Sequence, residues 1–369
     1  MQETIPDGTR EIDTIARQVT CRACGAMLAF VPGALILRCD HCGGTTPIDP
    51  RSDAVEEQDF LAAIAELDEA SSTVAVVTYR CRGCGGATDV TSGTAATHCP
   101  YCGVHANIIG EPTRVLKPTA ILPFALGRSR VESELRRWVE SLWFAPGALR
   151  RELEKDRHLD GLYLPHWTFD ARTTTAYEGW RGDHYTVTVG HGNNRRTETR
   201  TRWSPRAGSV RRNFDDVLVP ASTSELVRLA RRLGGWELAR LVAYDERFVA
   251  GFLAESYTVD LRAGFEQAKL AMQPVIEGDI RLQIGGHVQR IDWRSTACEA
   301  VQFKYVLLPL WVGTFRFRGR SYRFLAHGVT GRISADRPWS VPKILLAVLG
   351  AIVAGGALAL LATAAAAVR

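Results

Sequence analysis

Gly161-Leu-Tyr-Leu-Pro-His-Trp167 has an echo in Tyr305-Val-Leu-Leu-Pro-Leu-Trp311, and this pair decides how the middle of the chain is read. Each is an apolar run with a proline near its start, where the missing N–H of proline is tolerated in a strand. Alternating aromatic and polar residues follow each: FDARTTTAYEGWRGDHY after the first, VGTFRFRGRSYRFLAHG after the second. Period-two alternation with a glycine-containing turn predicts a β-hairpin in both places. A helix is predicted ahead of each half, over Val131–Trp143 and Leu261–Met272. The second is capped by Asp260 and stopped by Pro274, with Gly264 its weak point. Residues 114–338 are thus expected to form two related α+β halves packed as one domain. Trp167 and Trp311 are expected in its core rather than against a ligand.

Upstream, eight of the nine cysteines form four C-x-x-C pairs. Cys21, Cys24, Cys39 and Cys42 make one set, and Cys81, Cys84, Cys99 and Cys102 another at an offset of sixty residues. Fourteen residues separate the pairs within each set, and the neighbours match, CRACGA with CRGCGG. This is one module used twice. A C-x-x-C knuckle aims two thiolates at one ion, and Gly25, Gly43, Gly85 and Gly103 relieve the turns by tolerating positive φ. Two knuckles complete a closed tetrahedral site with no open position for water, hence a structural zinc. Two structural Zn²⁺ ions are expected. His41, His98 and His105 are expected at the surface, outside the ligand sets. Between the sets, Val55, Leu61, Ile64 and Leu67 recur at near-helical spacing, which predicts a linker helix within Asp53–Ser71 capped by Ser52. The predicted order is tail 1–18, ribbon 19–50, linker helix 51–73, ribbon 74–110, then the duplicated domain.

At the other end, Ile344–Val368 is charge-free for twenty-five residues. As a helix it spans roughly 37 Å, against about 30 Å of hydrocarbon. A transmembrane helix over 344–368 is expected. Arg318, Arg320, Arg323, Arg332, Arg337 and Lys343 precede it, with Trp339 at the interface, so the positive-inside rule keeps the bulk of the chain cytoplasmic. Ala347, Ala351, Gly355, Ala359, Thr363 and Ala367 form a small-residue stripe of the kind that permits close helix approach in lipid. The first twenty residues hold no apolar run, so no secretion signal is expected. That agrees with cysteines kept reduced for metal.

Charge is uneven. Residues 1–110 hold seven Lys and Arg against fourteen Asp and Glu. Asn193–Asn213 is the opposite, with Arg195, Arg196, Arg200, Arg202, Arg206, Arg211 and Arg212 opposed only by Glu198. Gly190, Gly192, Asn193 and Asn194 read as a turn before it. Such a basic hairpin or loop is a solvated face, or it binds anionic lipid or nucleic acid. Catalytic signatures are missing. No Gly-Lys pair exists for a Walker A loop, nor any H-E-x-x-H or G-x-S-x-G. Cys298 is expected to be a buried small residue. His166, Asp170 and His184 lie near one another in sequence without a catalytic spacing.

Leu162–Asp170 (LYLPHWTFD), Asp215–Ser222 (DDVLVPAS), Phe303–Trp311 and Arg337–Ser340 (RPWS), with the ribbons and the C-terminal apolar run, resemble a bacterial family of zinc-ribbon membrane proteins. Its members are often labelled primosomal or replication-restart helicase-like, with a TFIIB-type zinc ribbon. The resemblance covers most of the chain. It implies a membrane protein working beside flotillin-like or phage-shock-like membrane-stress proteins; without a Walker A loop, the chain is not expected to be a helicase. The expected function is a non-enzymatic membrane-anchored adaptor presenting protein-binding surfaces on the cytoplasmic face. The acidic ribbons favour protein partners, since nucleic-acid modules are usually basic. The alternative is a membrane-tethered nucleic-acid-binding protein using Arg195–Arg212.

Overall fold

The computed structural model describes residues 19–49, 55–68, 73–81, 87–89, 108–149, 157–191, 195–318, 320–336 and 339–367. The fold is α+β. Three short strands, β1 (Leu28–Phe30), β2 (Ile36–Cys39) and β3 (Thr45–Pro47), form an N-terminal antiparallel sheet. A curled, mainly antiparallel half-barrel sheet takes up the rest. It contains β4 (Gln58–Asp59), β5 (Thr73–Cys81), β6 (Ala87–Asp89), β7 (Ile108–Leu116) and β8 (Ala120–Ile121). It continues with β9 (Arg157–Val189), β10 (Arg196–Pro220), β11 (Val242–Ala243), β12 (Leu253–Ala254), β13 (Val288–Phe317), β14 (Arg320–His327) and β15 (Ile333–Ala335). The helices are α1 (Phe60–Asp68), α2 (Arg128–Glu140), α3 (Leu226–Leu233), α4 (Leu261–Ile284) and α5 (Val341–Ala367).

The two echoed segments are neighbours. β9 and β13 pair antiparallel with Gly161 opposite Trp311, Leu164 opposite Leu308 and Trp167 opposite Tyr305. Residues 159–169 of β9 are buried on both faces except for Asp160, as a strand covered on two sides requires. One face carries Tyr163, Trp167 and Phe169 into the main core. The other carries Leu162 and Leu164 against Leu226, Leu229 and Leu233 of α3. Trp167 and Trp311 are core residues, their indole N–H groups donating to the Val259 and Leu126 carbonyls at 2.9 Å.

Beyond Asp170 the same strands leave the body as an arm. β10 pairs with β9 from Pro220–His166 out to Arg196–Val189. α4 lies along one face, burying Gly264, Ala268, Met272, Ile276, Ile280 and Ile284 at four-residue intervals. The hairpin expected within residues 169–185 is therefore absent. β9 runs straight through, and its turn lies beyond Val189. The counterpart hairpin after Trp311 does form, with Phe317 opposite Arg320.

α4 continues through Pro274 to Ile284. Its N-cap is Asp260, whose carboxylate accepts from the Ala263 amide at 2.8 Å. Proline removes one hydrogen bond, and the stripe buried on the arm outweighs that loss. Gly264 is explained by contact, because a Cβ there would lie 2.6 Å from Trp167 Cδ1. The linker helix is shorter than expected. Asp59 caps α1, accepting from the Ala62 amide at 2.8 Å, and Ser52 lies outside the described residues.

α5 is helical from Val341 to Ala367. Side chains are described as far as Ala357, and Leu345, Leu346, Leu349, Ile352 and Val353 are all more than half exposed. That stretch alone, residues 341–357, runs only about 25 Å. Among the described residues no helix is long and apolar enough to cross a membrane.

Candidate metal centre

The N-terminal sheet exists to hold four thiols. An isolated bridge, Thr20 to Met27, closes the first knuckle, and the β1–β2 hairpin carries the chain to the second. The knuckles are built alike. The Gly25 amide donates to the Cys21 carbonyl at 2.8 Å and the Gly43 amide to the Cys39 carbonyl at 2.9 Å. Both glycines sit at φ 74°, in the left-handed region that side chains with a Cβ rarely adopt.

Cys21 Sγ lies 3.6 Å from Cys42 Sγ, and Cys24 Sγ 3.5 Å from Cys39 Sγ. All four lie within 4.8 Å of one another, and none is in a disulfide. Four sulfurs at 2.3 Å around a tetrahedral zinc are about 3.8 Å apart. The set therefore fits one zinc ion. The backbone prepares it electrostatically. Amides of Ala23 and Cys24 lower the Cys21 thiol to about 7. The Cys42 amide, with that of His41, lowers Cys39. The Ala26 amide pulls Cys24 down too, but its hydrogen-bonded companionship with Cys39, Cys42 and Cys21 pushes it up to about 12. Crowded thiols cannot all ionise without a cation among them, so metal binding here releases protons.

The centre is bound into the body. Cys21, Leu28, Phe30, Leu37 and Cys39 belong to the main hydrophobic core. The Phe30 amide donates to the Ala250 carbonyl and the Gly33 amide to the Phe124 carbonyl, each at 2.9 Å. The Phe30 ring meets Phe248 edge-on at 5.4 Å. Cys24, Cys42 and His41 face solvent.

Of the second set, Cys81 ends β5, while Cys84, Cys99 and Cys102 lie outside the described residues, as do His98 and His105. The strands flanking that set belong to the large sheet. β5 pairs with β6 and β7, and β6 reaches β12 through Asp89 and Ala254.

A second polar cluster went unnoticed in the sequence. The Lys304 ammonium is buried, 2.9 Å from Glu57 Oε1, 2.8 Å from Asp216 Oδ1 and 3.9 Å from Asp170 Oδ2. β10 and β13 each bulge beside Asp170, with Asp216 at φ 50° and Ala300 at φ 47°. The Asp216 amide donates to Asp170 Oδ1 at 2.6 Å. Burial and the hydrogen bond with Glu57 push Asp170 up to about 6. Hydrogen bonds from Asp170 and Lys304 hold Glu57 below the usual carboxylate range. Lys304 is already the cation of this cluster, which ties the linker before α1 to the sheet. The available signal was a lone lysine inside the apolar run Phe303–Trp311.

His166, Asp170 and His184 do not converge. Fourteen residues of one extended strand put Asp170 and His184 roughly 46 Å apart. His166 is buried, and burial lowers it to about 4. His184 stands on the arm beside His287, ring centroids 5.0 Å apart. Cys298 is half-buried against α4, and burial raises its thiol.

The chain is similar to a protein of Bacillus subtilis (strain 168), "Uncharacterized protein YdjG", with 24% identity over 240 residues. The match covers 62% of this chain and 66% of that protein, a distant homology. No family model and no solved structure matches.

Proposed function

We propose that the chain is a membrane-anchored zinc-ribbon adaptor, not an enzyme, that presents protein-binding surfaces on the cytoplasmic face. The observation that carries this reading is the base of α5. The Lys343 ammonium donates to the Trp143 and Ala145 carbonyls at 3.1 and 2.9 Å, and the Ser340 amide to the Phe144 carbonyl at 2.8 Å. These bonds bring the exposed Trp143 and Trp339 to the root of an exposed apolar helix. Tryptophans beside the end of such a helix are the usual membrane-interface anchors. The backbone of α5 stays helical to Ala367, about 40 Å in all, and the proposed anchor is this helix together with the charge-free run 344–368. A closed four-thiolate centre supports a structural role for the zinc.

Alkaline extraction of membranes holding the full chain tests the anchor. The native protein should stay with the lipid, and a Leu349→Arg, Ile352→Arg double variant should be released. Release of the native chain would sink the membrane reading. Purification from detergent after nuclease treatment tests the adaptor. A stoichiometric membrane-associated protein partner supports it, including one of the flotillin-like or phage-shock-like kind. Recovery of replication or transcription proteins instead would reject it.

A second reading has its own support, in the β9–β10 hairpin. Arg195, Arg196, Arg200, Arg202, Arg206 and Arg211 are exposed there, and Arg202 lies over the Tyr185 ring at 5.3 Å. Anionic lipid is the expected partner of this arm in an anchored protein. Nucleic-acid binding, steeply salt-dependent and lost on replacing Arg195–Arg206 by glutamine, would make it a tethered nucleic-acid binder instead.

A further inference from the structure

The arm has two outer edges, and they are defended differently. Along the arm β10 pairs only with β9 among the described residues, which leaves its outer edge open there, and it carries six arginines from Arg196 to Arg212. Charged side chains on an edge discourage further strand pairing. On the opposite side, β13 meets β4 at Gln302 and Phe303 and β8 at Val306 and Leu307. Between Val288 and Val301 no strand among the described residues pairs with its outer side. Bulges at Ile291/Trp293 and Glu299/Gln302 bracket this edge, leaving one regular run, Trp293–Glu299. Its residues 295–298 are Ser-Thr-Ala-Cys, small and without charge.

A groove of about 360 Å³ lies beside that run. Leu270, Met272 and Ile276 of α4 and Arg294, Thr296 and Cys298 of β13 line it. Leu270 is 63% exposed at its rim, while Met272 and Ile276 form its buried floor. The charges around it are paired among themselves, Lys269 with Glu266 and Arg294 with Glu277, each at 2.8 Å. An occupant thus meets an apolar floor and a neutralised rim. An open row of backbone N–H and C=O groups is complementary to another extended backbone, whose alternate side chains then point to one face.

We propose that Trp293–Glu299 takes up an extended segment of a protein partner as an added antiparallel or parallel strand, one apolar side chain of which sits in the groove beside α4. The partner segment is uncharged at that position and extended over about five to seven residues, the usual length of a strand. This rests on the adaptor reading and names the kind of contact the adaptor makes.

The test is selection of heptapeptides from a random displayed library on the purified full-length chain in detergent, followed by binding of the synthesised winner. The expected winner has an apolar residue flanked by residues of strand preference. N-methylation of alternate amides on its pairing side abolishes binding, and Leu270→Glu weakens it by about tenfold or more. Arg200→Glu on the opposite edge leaves it unchanged. Bound peptide slows hydrogen exchange of alternate amides within 293–299. No enriched peptide, or a winner indifferent to both N-methylation and Leu270→Glu, overturns the inference. A co-purifying protein retained by the Leu270→Glu chain would leave the adaptor standing and this contact refuted. Peptide binding without any cellular partner would do the reverse.

Discussion

The same two strands, β9 and β13, live in two environments. At the root, residues 161–169 of β9 are buried without interruption, whereas from Ala171 to Gly179 buried residues alternate with exposed or half-buried ones. The difference is one layer of packing. Near Leu162 and Leu164 the sheet is covered by α3 on one face and the main core on the other. Along the arm, among the described residues, α4 alone covers it. Burial on both faces makes the root a structural keel; burial on one leaves the arm a surface. Folding free energy is thereby concentrated in one half of each strand and exposed surface in the other.

Breaking the root should cost most. Cys39→Ser removes a fully buried thiol that belongs both to the four-cysteine set able to hold a zinc ion and to the core. It is expected to lose one zinc per chain and more than about 5 kcal/mol of stability, read by metal content and thermal unfolding. Trp167→Ala, at the centre of the root, should cost about 3–5 kcal/mol, measured by denaturant titration.

At the junction of root and arm, Lys304→Met strands three carboxyl groups and should cost about 3 kcal/mol near neutral pH. The same cluster should give a pH signature. The folded pKa of Asp170, about 6, lies above its ordinary 3.8. Its contribution is fully present below pH 3.8 and is lost as pH rises through 6. Glu57 is shifted the other way, so its contribution is lost at lower pH, as pH falls through its depressed folded value. Comparing unfolding of native and Asp170→Asn chains at pH 4 and 7 should therefore show the native chain losing about 1–2 kcal/mol more on going to pH 7. The smallest effect belongs to the arm. Arg211→Ala on its exposed face should change stability by no more than about 0.5 kcal/mol. A loss of several times that would mean the arm is packed against something in the full chain.

Much of the root and the metal centre was legible in the sequence because both are written locally. The Cys21–Cys42 set follows from spacing and from the glycines after each knuckle, which the observed φ of 74° at Gly25 and Gly43 requires. Asp260 as a cap is likewise a three-residue matter. The misread hairpin within residues 169–185 shows the limit. Gly179 and Gly182 look like turn residues, yet each is a point of close approach within a continuous strand. A Cβ at Gly179 would lie 2.2 Å from the Arg290 carbonyl oxygen, and one at Gly182 would lie 2.4 Å from Val288 Cγ2. Pro274 misled in the same way, because its cost inside α4 is local and the compensating stripe on the arm is not.

The sequence by itself determined the four-thiol centre, the extended character of the two Leu-Pro echoes, and a C-terminal helix built on a charge-free run. Each depends on residue spacing along one stretch of chain, where covalent geometry and hydrophobic period act directly. The same spacing misplaced the strand starts, since the second echo lies well inside β13. Only the tertiary structure decided that the two echoes pair with each other and that the metal centre is built into the main core. It alone also joined Glu57, Asp170, Asp216 and Lys304, and left one edge of the arm open beside a groove. Those outcomes depend on contacts between residues distant in the chain, such as Gly161 with Trp311 and Phe30 with Phe248, which no local period records.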